Sequence, residues 1–188
     1  MDPDRQLVER TLAGEMQAFE ELVERHEAVV FRVAARVVGR ETAEDVAQDT
    51  FLRAFHRLDR FRSEGSFRSW LLQIAHNTAL NALARRVPVP VGGAEEVDAV
   101  DATPGPTRGP VTALEEGERR ERLELKLREL TDEHRTVLVL RDLEGLPYEE
   151  IAEVTGSPLG SVKGRLHRAR NELIEIMRRN SYDWELPE

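Results

Sequence analysis

The sequence predicts an all-α protein with two small helical domains, residues 1–86 and 114–188, joined by a flexible acidic linker rich in Pro and Gly. Apolar residues recur every three or four positions in both domains, which is the period of amphipathic helices. Strand-type alternation is hard to find, and aromatic residues make up only 5% of the chain. The linker, residues 87–113, holds five of the nine prolines and four acids against one arginine. Such a composition breaks helices and buries little apolar surface.

The first domain is predicted to contain three long helices, preceded by a short helix at about 4–13. An apolar stripe over Phe19–Val37 predicts the first long helix, and Gly39 offers its stop. His26 falls within this stripe, which favours a core histidine with a partner over a metal ligand. The stripe Val46–Leu58 predicts the second helix, and Ser66 is placed to cap the third.

The second domain is predicted to contain four helices, the last two forming the helix-turn-helix. The first covers about 117–129, and Thr131 caps the next. A short helix follows Pro147 and stops at Gly156. Ser157 and the proline after it then begin the last helix. Two helices joined by a short Gly-containing turn are the helix-turn-helix pattern.

The composition excludes several classes of function. No apolar run exceeds five residues, whereas a membrane span needs about twenty, so we expect no membrane insertion. The chain has no cysteine, and its five histidines are scattered without ligand spacing. No Gly-rich phosphate loop or nucleophile elbow is present. We therefore expect a cytoplasmic, monomeric protein without leader peptide, bound metal, cofactor or catalytic residues.

The last helix has the charge pattern of a helix that enters a DNA groove. A stripe of Leu159, Val162, Leu166, Ala169 and Leu173 is predicted to face the core. The opposite face and its flanks carry Gly160, Ser161, Lys163, Gly164, Arg165, His167, Arg168, Arg170 and Asn171. Residues 161–170 hold four cations and no anion, whereas ordinary exposed helices mix charges for i,i+4 pairing. The alternative is an amphipathic helix with a solvated arginine face. Three glutamates of the preceding helix are expected to point away from DNA.

The first domain is acidic over one segment and basic over the next. Residues 40–52 contain four acids against one arginine, and residues 53–86 contain seven arginines against two acids. Arginines interleaved with aromatic rings are typical of surfaces that bind single-stranded nucleic acid. Phe55, Phe67 and Trp70 are expected to be core residues, which leaves Phe61 as the best candidate for an exposed ring.

Three runs of residues resemble, in order, segments of bacterial sigma factors of the extracytoplasmic-function (ECF) family. Ala43–Phe51 resembles the segment that binds core RNA polymerase, and Leu58–Leu71 resembles the segment that melts and reads the −10 element. Arg141–Ala152 followed by Gly160–Leu166 resembles the −35-reading domain. The resemblance implies a factor that directs promoter-specific initiation, while the polymerase supplies catalysis and metal.

The resemblance also implies roles for individual residues. The polymerase partner, through its β′ coiled coil and β subunit, would contact Asp45, Gln48 and Asp49. The melted −10 element of promoter DNA would contact Phe61, Arg62, Arg68, Asn77 and Asn81. The −35 duplex would contact Ser161, Lys163, Gly164, Arg165, His167, Arg168, Arg170 and Asn171. The sequence departs from the family pattern at Gly164 and Pro147, where the family usually has serine.

Control by an anti-sigma factor that occupies both domains is a further expectation from the resemblance. The acidic linker would suit a basic polymerase channel, although a solvated tether is an equal alternative. Two rival functions remain open from the sequence. A helix-turn-helix regulator would have an apolar ligand pocket and bind DNA without polymerase. A helical adaptor that binds only protein would show no salt-dependent affinity for DNA.

Overall fold

The computed structural model describes residues 3–62, 65–85, 119 and 122–179, and its regular elements over these residues are all helical. The N-terminal part contains α1 (Pro3–Leu12), α2 (Met16–Val38), α3 (Arg40–His56), a 3₁₀ turn (Leu58–Arg60) and α4 (Phe67–Arg85). The C-terminal part contains the helical residues 122–129 (α5), α6 (Asp132–Leu138), a π-helical turn (Val139–Leu143), α7 (Tyr148–Thr155) and α8 (Leu159–Arg179). The predicted all-α class is confirmed, whereas the linker lies outside the described residues.

Glycines and polar caps set the helix ends that the sequence predicted. Gly39 separates α2 from α3 with φ +88° and ψ 160°, a conformation that residues with a Cβ rarely adopt. Gly156 ends α7 in the left-handed region, with φ +62°. The side chain of Thr131 accepts a hydrogen bond from the backbone N–H of His134 at 3.4 Å. Ser66 accepts one from the N–H of Ser69, also at 3.4 Å.

The N-terminal helices enclose a core that holds α3 and α4 against α2. Leu22, Phe67 and Leu71 are each no more than 1% exposed. His26 is buried, and its Nε2 lies 2.7 Å from a carboxylate oxygen of Asp4 on α1. The prediction that His26 is a core residue with a partner is therefore confirmed, and its hydrogen bond fixes the short helix α1 on the bundle.

The prediction of a core position is wrong for two residues. Phe55 is 37% exposed and packs edge-on against Phe19, with ring centroids 4.9 Å apart. Leu159 is also 37% exposed, because it lies in the first turn of α8, whereas Val162 and Leu166 one and two turns later are buried. Helical spacing gives the face of a residue but does not show where the neighbouring helix ends.

The N-terminal and C-terminal parts pack directly against each other. Buried residues of both parts belong to one continuous hydrophobic cluster. The guanidinium of Arg135 on α6 donates to the backbone carbonyl of Val37 on α2 at 2.9 Å. Helix α7 lies against α4, where Gln73 donates to the carbonyl of Glu153 at 2.8 Å. Within the residues described, no helix has the length and hydropathy needed to cross a membrane.

Candidate polymerase and nucleic-acid interfaces

Helix α3 presents a polar face that ends in an exposed leucine. Asp45 and Gln48 are exposed, and Asp49 pairs with Arg53 of the next turn at 2.9 Å. Leu52 lies on the same face, since it follows Gln48 by four residues, and it is 61% exposed. The sequence analysis missed Leu52, although its spacing from Asp45 and Gln48 was available as a signal. An exposed apolar side chain beside acids is suited to protein contact.

A pocket of about 320 Å³ lies between α3, the 3₁₀ turn and α4. Asn77 and Asn81 of α4 line it one turn apart, beside the ring of Trp70. Its other wall and floor are formed by Arg53, Arg57, Arg60, Gln73, Ile74 and Thr78. Amides, an aromatic ring and guanidinium groups are the side chains that bind the edge, face and phosphate of an unpaired nucleotide. The three arginines of this wall were not singled out from the sequence.

Phe61 is not the exposed ring that the sequence predicted. It is only partly exposed, and its ring centroid lies 5.6 Å from that of Phe67 and 5.4 Å from that of Trp70. The chain turns back at the 3₁₀ helix, which folds Phe61 onto the first turn of α4. In this structure Phe61 therefore supports Trp70 at the rim of the pocket, and Trp70 carries the ring that lines it.

The two arginines predicted to contact the −10 strand have different surroundings. Arg62 is exposed in the loop before α4. Arg68 bonds to the C-terminal part, where it donates to the backbone carbonyl of Glu144 at 3.1 Å. Nine residues separate Arg68 from Asn77, which places them on roughly opposite faces of α4 at about 100° per residue. The structure thus brings Asn77 and Asn81 together and leaves Arg68 away from their pocket.

The outer face of α8 is divided between exposed and paired groups. Ser161, Lys163, His167, Arg168 and Asn171 are exposed. Gly164 is half-buried, and a Cβ added there would make an ordinary contact with Nη1 of Arg168, at 3.6 Å.

Two of the arginines predicted to contact the −35 element also pair with groups of their own domain. Arg165 pairs with Glu133 at 3.1 Å and with the hydroxyl of Ser157 at 3.1 Å. Arg170 forms a two-point contact with the carboxylate of Asp142, at 3.0 and 2.6 Å. This hydrogen bond raises the pKa of the Arg170 guanidinium. Both arginines hold α8 in place in this structure, so the sequence overstated the uncompensated charge on this helix.

Tyr148, the first residue of α7, connects α8 to the π-helical turn. Its ring lies 4.7 Å from the guanidinium carbon of Arg141 and 5.6 Å from the ammonium of Lys163. Both distances are within the range of cation–π attraction. Tyr148 therefore restrains Lys163 at the start of the exposed face.

A smaller cavity of about 140 Å³ lies between α4, α6 and the α7–α8 turn. His76 of α4 lines it and is buried, and within the described residues its Nδ1 has no hydrogen-bond partner. The buried hydroxyl of Thr136 on the opposite wall is likewise unpartnered there. Burial lowers the pKa of His76, and the positive charge of Arg165 lowers it further.

Comparison with known proteins places these features in a family. Residues 22–87 match the sigma-70 region 2 model, and residues 120–173 match a sigma-70 region 4 model. The chain is 36% identical over 193 aligned residues to the ECF RNA polymerase sigma-E factor of Escherichia coli (strain K12), covering 94% of this chain and 97% of the relative. It is 37% identical over 179 residues to that of Haemophilus influenzae, covering 92% and 93%.

Solved structures share the fold of this chain. CnrH, in complex with the cytosolic domain of CnrY, matches with a TM-score of 0.70 at 28% identity, covering 95% of this chain and 99% of that chain. The fold also matches the sigma factor RpoE of Bartonella quintana, in complex with the anti-sigma factor NepR. There the TM-score is 0.67 at 23% identity, covering 85% and 96%. The chain therefore belongs to the ECF sigma factors of RNA polymerase.

Proposed function

We propose that this chain binds core RNA polymerase and directs it to promoters by reading the −35 element with α8 and the melted −10 element with α4. The pocket formed by Asn77, Asn81 and Trp70 is the observation that carries the proposal. It is lined mainly by polar groups, unlike the apolar ligand pocket that a sensing regulator would need. We place domain boundaries near 86 and 114, and assign no catalytic residue or cofactor to the chain.

The −10 reading depends on a base leaving the stacked duplex. An extruded base could stack on Trp70 while its edge bonds to the amides of Asn77 or Asn81, which offsets the energy of unstacking. Arg53, Arg57 and Arg60 then neutralise the phosphates on either side. Phe61 contributes by supporting Trp70, and Arg62 by a backbone contact from its exposed loop.

The −35 reading assigns base contacts and phosphate contacts to different groups of α8. Arg168 and Asn171 are the exposed groups whose donors suit base edges in a major groove. Ser161 and Lys163, in the first two turns, suit phosphates, as does His167. Gly164 permits close approach, and Arg165 and Arg170 orient the helix through their acidic partners.

Polymerase binding is assigned to the face of α3. Asp45, Gln48 and Asp49 would pair with basic groups of the β′ coiled coil, and Leu52 would pack against its apolar surface. The β subunit is the further contact that we propose. A second, inhibitory partner in the cytoplasm is an anti-sigma factor, the kind of protein that is bound to the sigma factor RpoE of Bartonella quintana, which has the same fold.

Run-off transcription with core polymerase on a promoter library tests the proposal. We expect wild-type protein to give initiation at a defined set of promoters and a double Asn77→Ala/Asn81→Ala variant to lose opening at them. Gln17→Ala, an exposed change on α2, is the matched control and should behave as wild type. No promoter-specific initiation by the wild-type protein would refute the sigma function.

A further inference from the structure

Two polar side chains on the outer face of α8 are joined by a hydrogen bond. Nδ2 of Asn171 lies 3.2 Å from Nε2 of His167, one turn earlier, and both side chains are exposed. An amide nitrogen only donates hydrogen bonds, so Nε2 of His167 is the acceptor. The bond therefore requires a neutral imidazole whose proton is on Nδ1.

This hydrogen bond determines the orientation of the Asn171 amide. The amide carries one carbonyl oxygen and two N–H groups, and a rotation of about 180° around its last torsion exchanges their positions. In one orientation an N–H meets the Nε2 acceptor of His167. In the other, the carbonyl oxygen would meet the lone pair of that nitrogen. The bonded orientation leaves Oδ1 and the second N–H of Asn171 side by side, where they can bind a further partner.

The acceptor and donor left on Asn171 match the major-groove edge of one base. Adenine presents the acceptor N7 next to the donor N6, whereas guanine presents two acceptors, cytosine a donor, and thymine an acceptor and a methyl group. Oδ1 can accept from N6 while the second N–H donates to N7, so this amide edge selects adenine. The Nδ1–H of His167 can at the same time donate to a phosphate oxygen.

The face of α8 that carries this pair has no side chain larger than hydrogen in the two preceding turns. Gly160, Gly164, His167 and Asn171 fall within about 60° of one another, at 100° per residue. Neither glycine has a positive φ. Among the residues that the structure describes, a Cβ added at either would make no contact closer than 3.6 Å. A duplex can therefore approach the backbone of α8, which brings the pair in the third and fourth turns towards the base edges.

From this arrangement we propose that Asn171 reads an adenine of the −35 duplex and that His167 is the positioning residue that orients its amide. The inference rests on the proposed function, since it names the base that α8 reads at one position. An amide held in its binding orientation before contact loses less conformational entropy on binding. The preference for adenine therefore depends on His167, although His167 does not touch the base.

Competition binding of the holoenzyme tests the proposal, with a promoter selected from a library and all single-base variants of its −35 element. For the wild type we expect one A·T pair at which every replacement weakens binding about tenfold. Asn171→Ala should lose the preference at this pair and keep those at the other pairs. Gln17→Ala removes an exposed amide from α2 and should keep every preference. If Asn171→Ala also keeps every preference, the proposal is wrong.

A promoter with 7-deazaadenine at this pair tests the contact to N7, because a C–H group replaces the acceptor in that base. Binding of the wild type should weaken about fivefold, whereas binding of Asn171→Ala should not change. An equal loss for both proteins would show that Asn171 does not contact N7. Insensitivity of the wild type to 7-deazaadenine would overturn the adenine assignment without any variant.

Two substitutions of His167 test its positioning role. His167→Ala retains Asn171 but should reduce the preference at the same A·T pair from about tenfold to about twofold. His167→Gln keeps an acceptor oxygen for Asn171 one turn away and an N–H for the phosphate, so it should restore most of the preference.

Two results would overturn the positioning role of His167. The first is a uniform loss of affinity for all sequences in His167→Ala with the preference retained, which would reduce His167 to a phosphate contact. The second is loss of preference at another base pair in His167→Ala/Asn171→Ala, since His167 would then read a base itself.

Run-off transcription on the same promoters distinguishes failure of this inference from failure of the sigma function. Promoter-specific initiation by the wild type, with unaltered base preferences in Asn171→Ala, would reject the adenine assignment and leave the sigma function intact. Absence of promoter-specific initiation by the wild type would reject the sigma function, and a −35 contact with it. Circular dichroism checks that each variant retains its helices.

Discussion

At the scale of single residues, Arg168 provides the sharpest test of base reading. It is exposed on α8, while Arg165 and Arg170 on the same helix are engaged by acids. Arg168→Ala should weaken binding of the holoenzyme to its −35 element by about 1–3 kcal/mol and relax the preference at one base pair. Competition binding against all single-base variants of a selected promoter measures both effects.

Arg178→Ala is the matched control for Arg168, since Arg178 lies on α8 near its C-terminal end and pairs with Glu175. It should leave affinity and base preference unchanged. If Arg168→Ala weakens every sequence equally, Arg168 contacts a phosphate and base reading must come from another residue.

His76 makes stability depend on pH. Burial and Arg165 hold its pKa below the ordinary value of 6.5, so the unfolded chain takes up a proton that the folded chain does not. The contribution of neutral His76 to the free energy of unfolding is therefore complete above about pH 6.5, and it declines as the pH falls towards the lowered pKa. Asp132 and Glu133 also line the cavity, but the net direction of the shift is downward. The melting temperature of the wild type should fall more between about pH 7 and pH 5.5 than that of His76→Gln.

The exposed His56 gives the comparison for His76. His56→Gln is the matched substitution, at a position exposed on α3. Identical pH dependence in the wild type and His76→Gln would show that the interface histidine does not control stability in this range.

The sequence predicted burial from the position of a residue on its helix, but it did not predict which groups a side chain contacts. His26 was assigned to the core from spacing along its own helix, and it is buried. Phe61 was assigned to an exposed surface, but it packs on rings that follow it across a turn. Arg170 was assigned to DNA, and the sequence did not show that it also pairs with Asp142, 28 residues earlier. Periodicity contains no information on contacts that the tertiary fold creates.

At the scale of elements, the junction between α2 and α3 depends on Gly39. Its φ of +88° with ψ of 160° lies in a region that is almost restricted to glycine. Gly39→Ala should lower the free energy of unfolding by about 1–3 kcal/mol. Urea unfolding monitored by circular dichroism measures the change. Strain at this junction would also shift the polar face of α3, so binding to core polymerase should weaken in parallel.

Gly160 is the control for Gly39, because its substitution by alanine should not lower the stability. It lies in the first turn of α8, and an added Cβ would meet no atom within 4 Å. Gly160→Ala should leave stability unchanged or raise it by about 0.5–1 kcal/mol, because alanine loses less conformational entropy in a helix. Equal destabilisation by both substitutions would mean that backbone conformation is not the cause.

The elements were the most predictable part of the fold. Capping residues and glycines are local signals, and Thr131, Gly39 and Gly156 mark helix ends as predicted. The charge of the segment around α4 was also visible in the sequence. The pocket itself was not, because it forms only where arginines of α3 and the 3₁₀ turn meet the amides of α4.

At the scale of the whole molecule, the packing of the two domains was not predictable from sequence. The acids of α7 were expected to point away from DNA, and in this structure Glu150 bonds to Ser69 of α4. Arg135 crosses the interface to the carbonyl of Val37 and also bonds to carbonyls of its own domain. These contacts require knowledge of the relative orientation of two domains, which neither domain's periodicity encodes.

Because one hydrophobic cluster spans both domains, we expect the wild type to unfold in a single calorimetric transition. Glu150→Lys removes the acceptor for the Ser69 hydroxyl and places a cation at the contact between α7 and α4. A buried interface that loses a hydrogen bond and gains an unpaired charge should weaken by about 1–3 kcal/mol. The two domains should then unfold in separate transitions. Glu149→Lys makes the same charge change at the exposed neighbouring residue and should retain one transition. One transition in both variants would show that the apolar cluster alone couples the unfolding of the two domains. The polar contacts between α4 and α7 would then not contribute to this coupling.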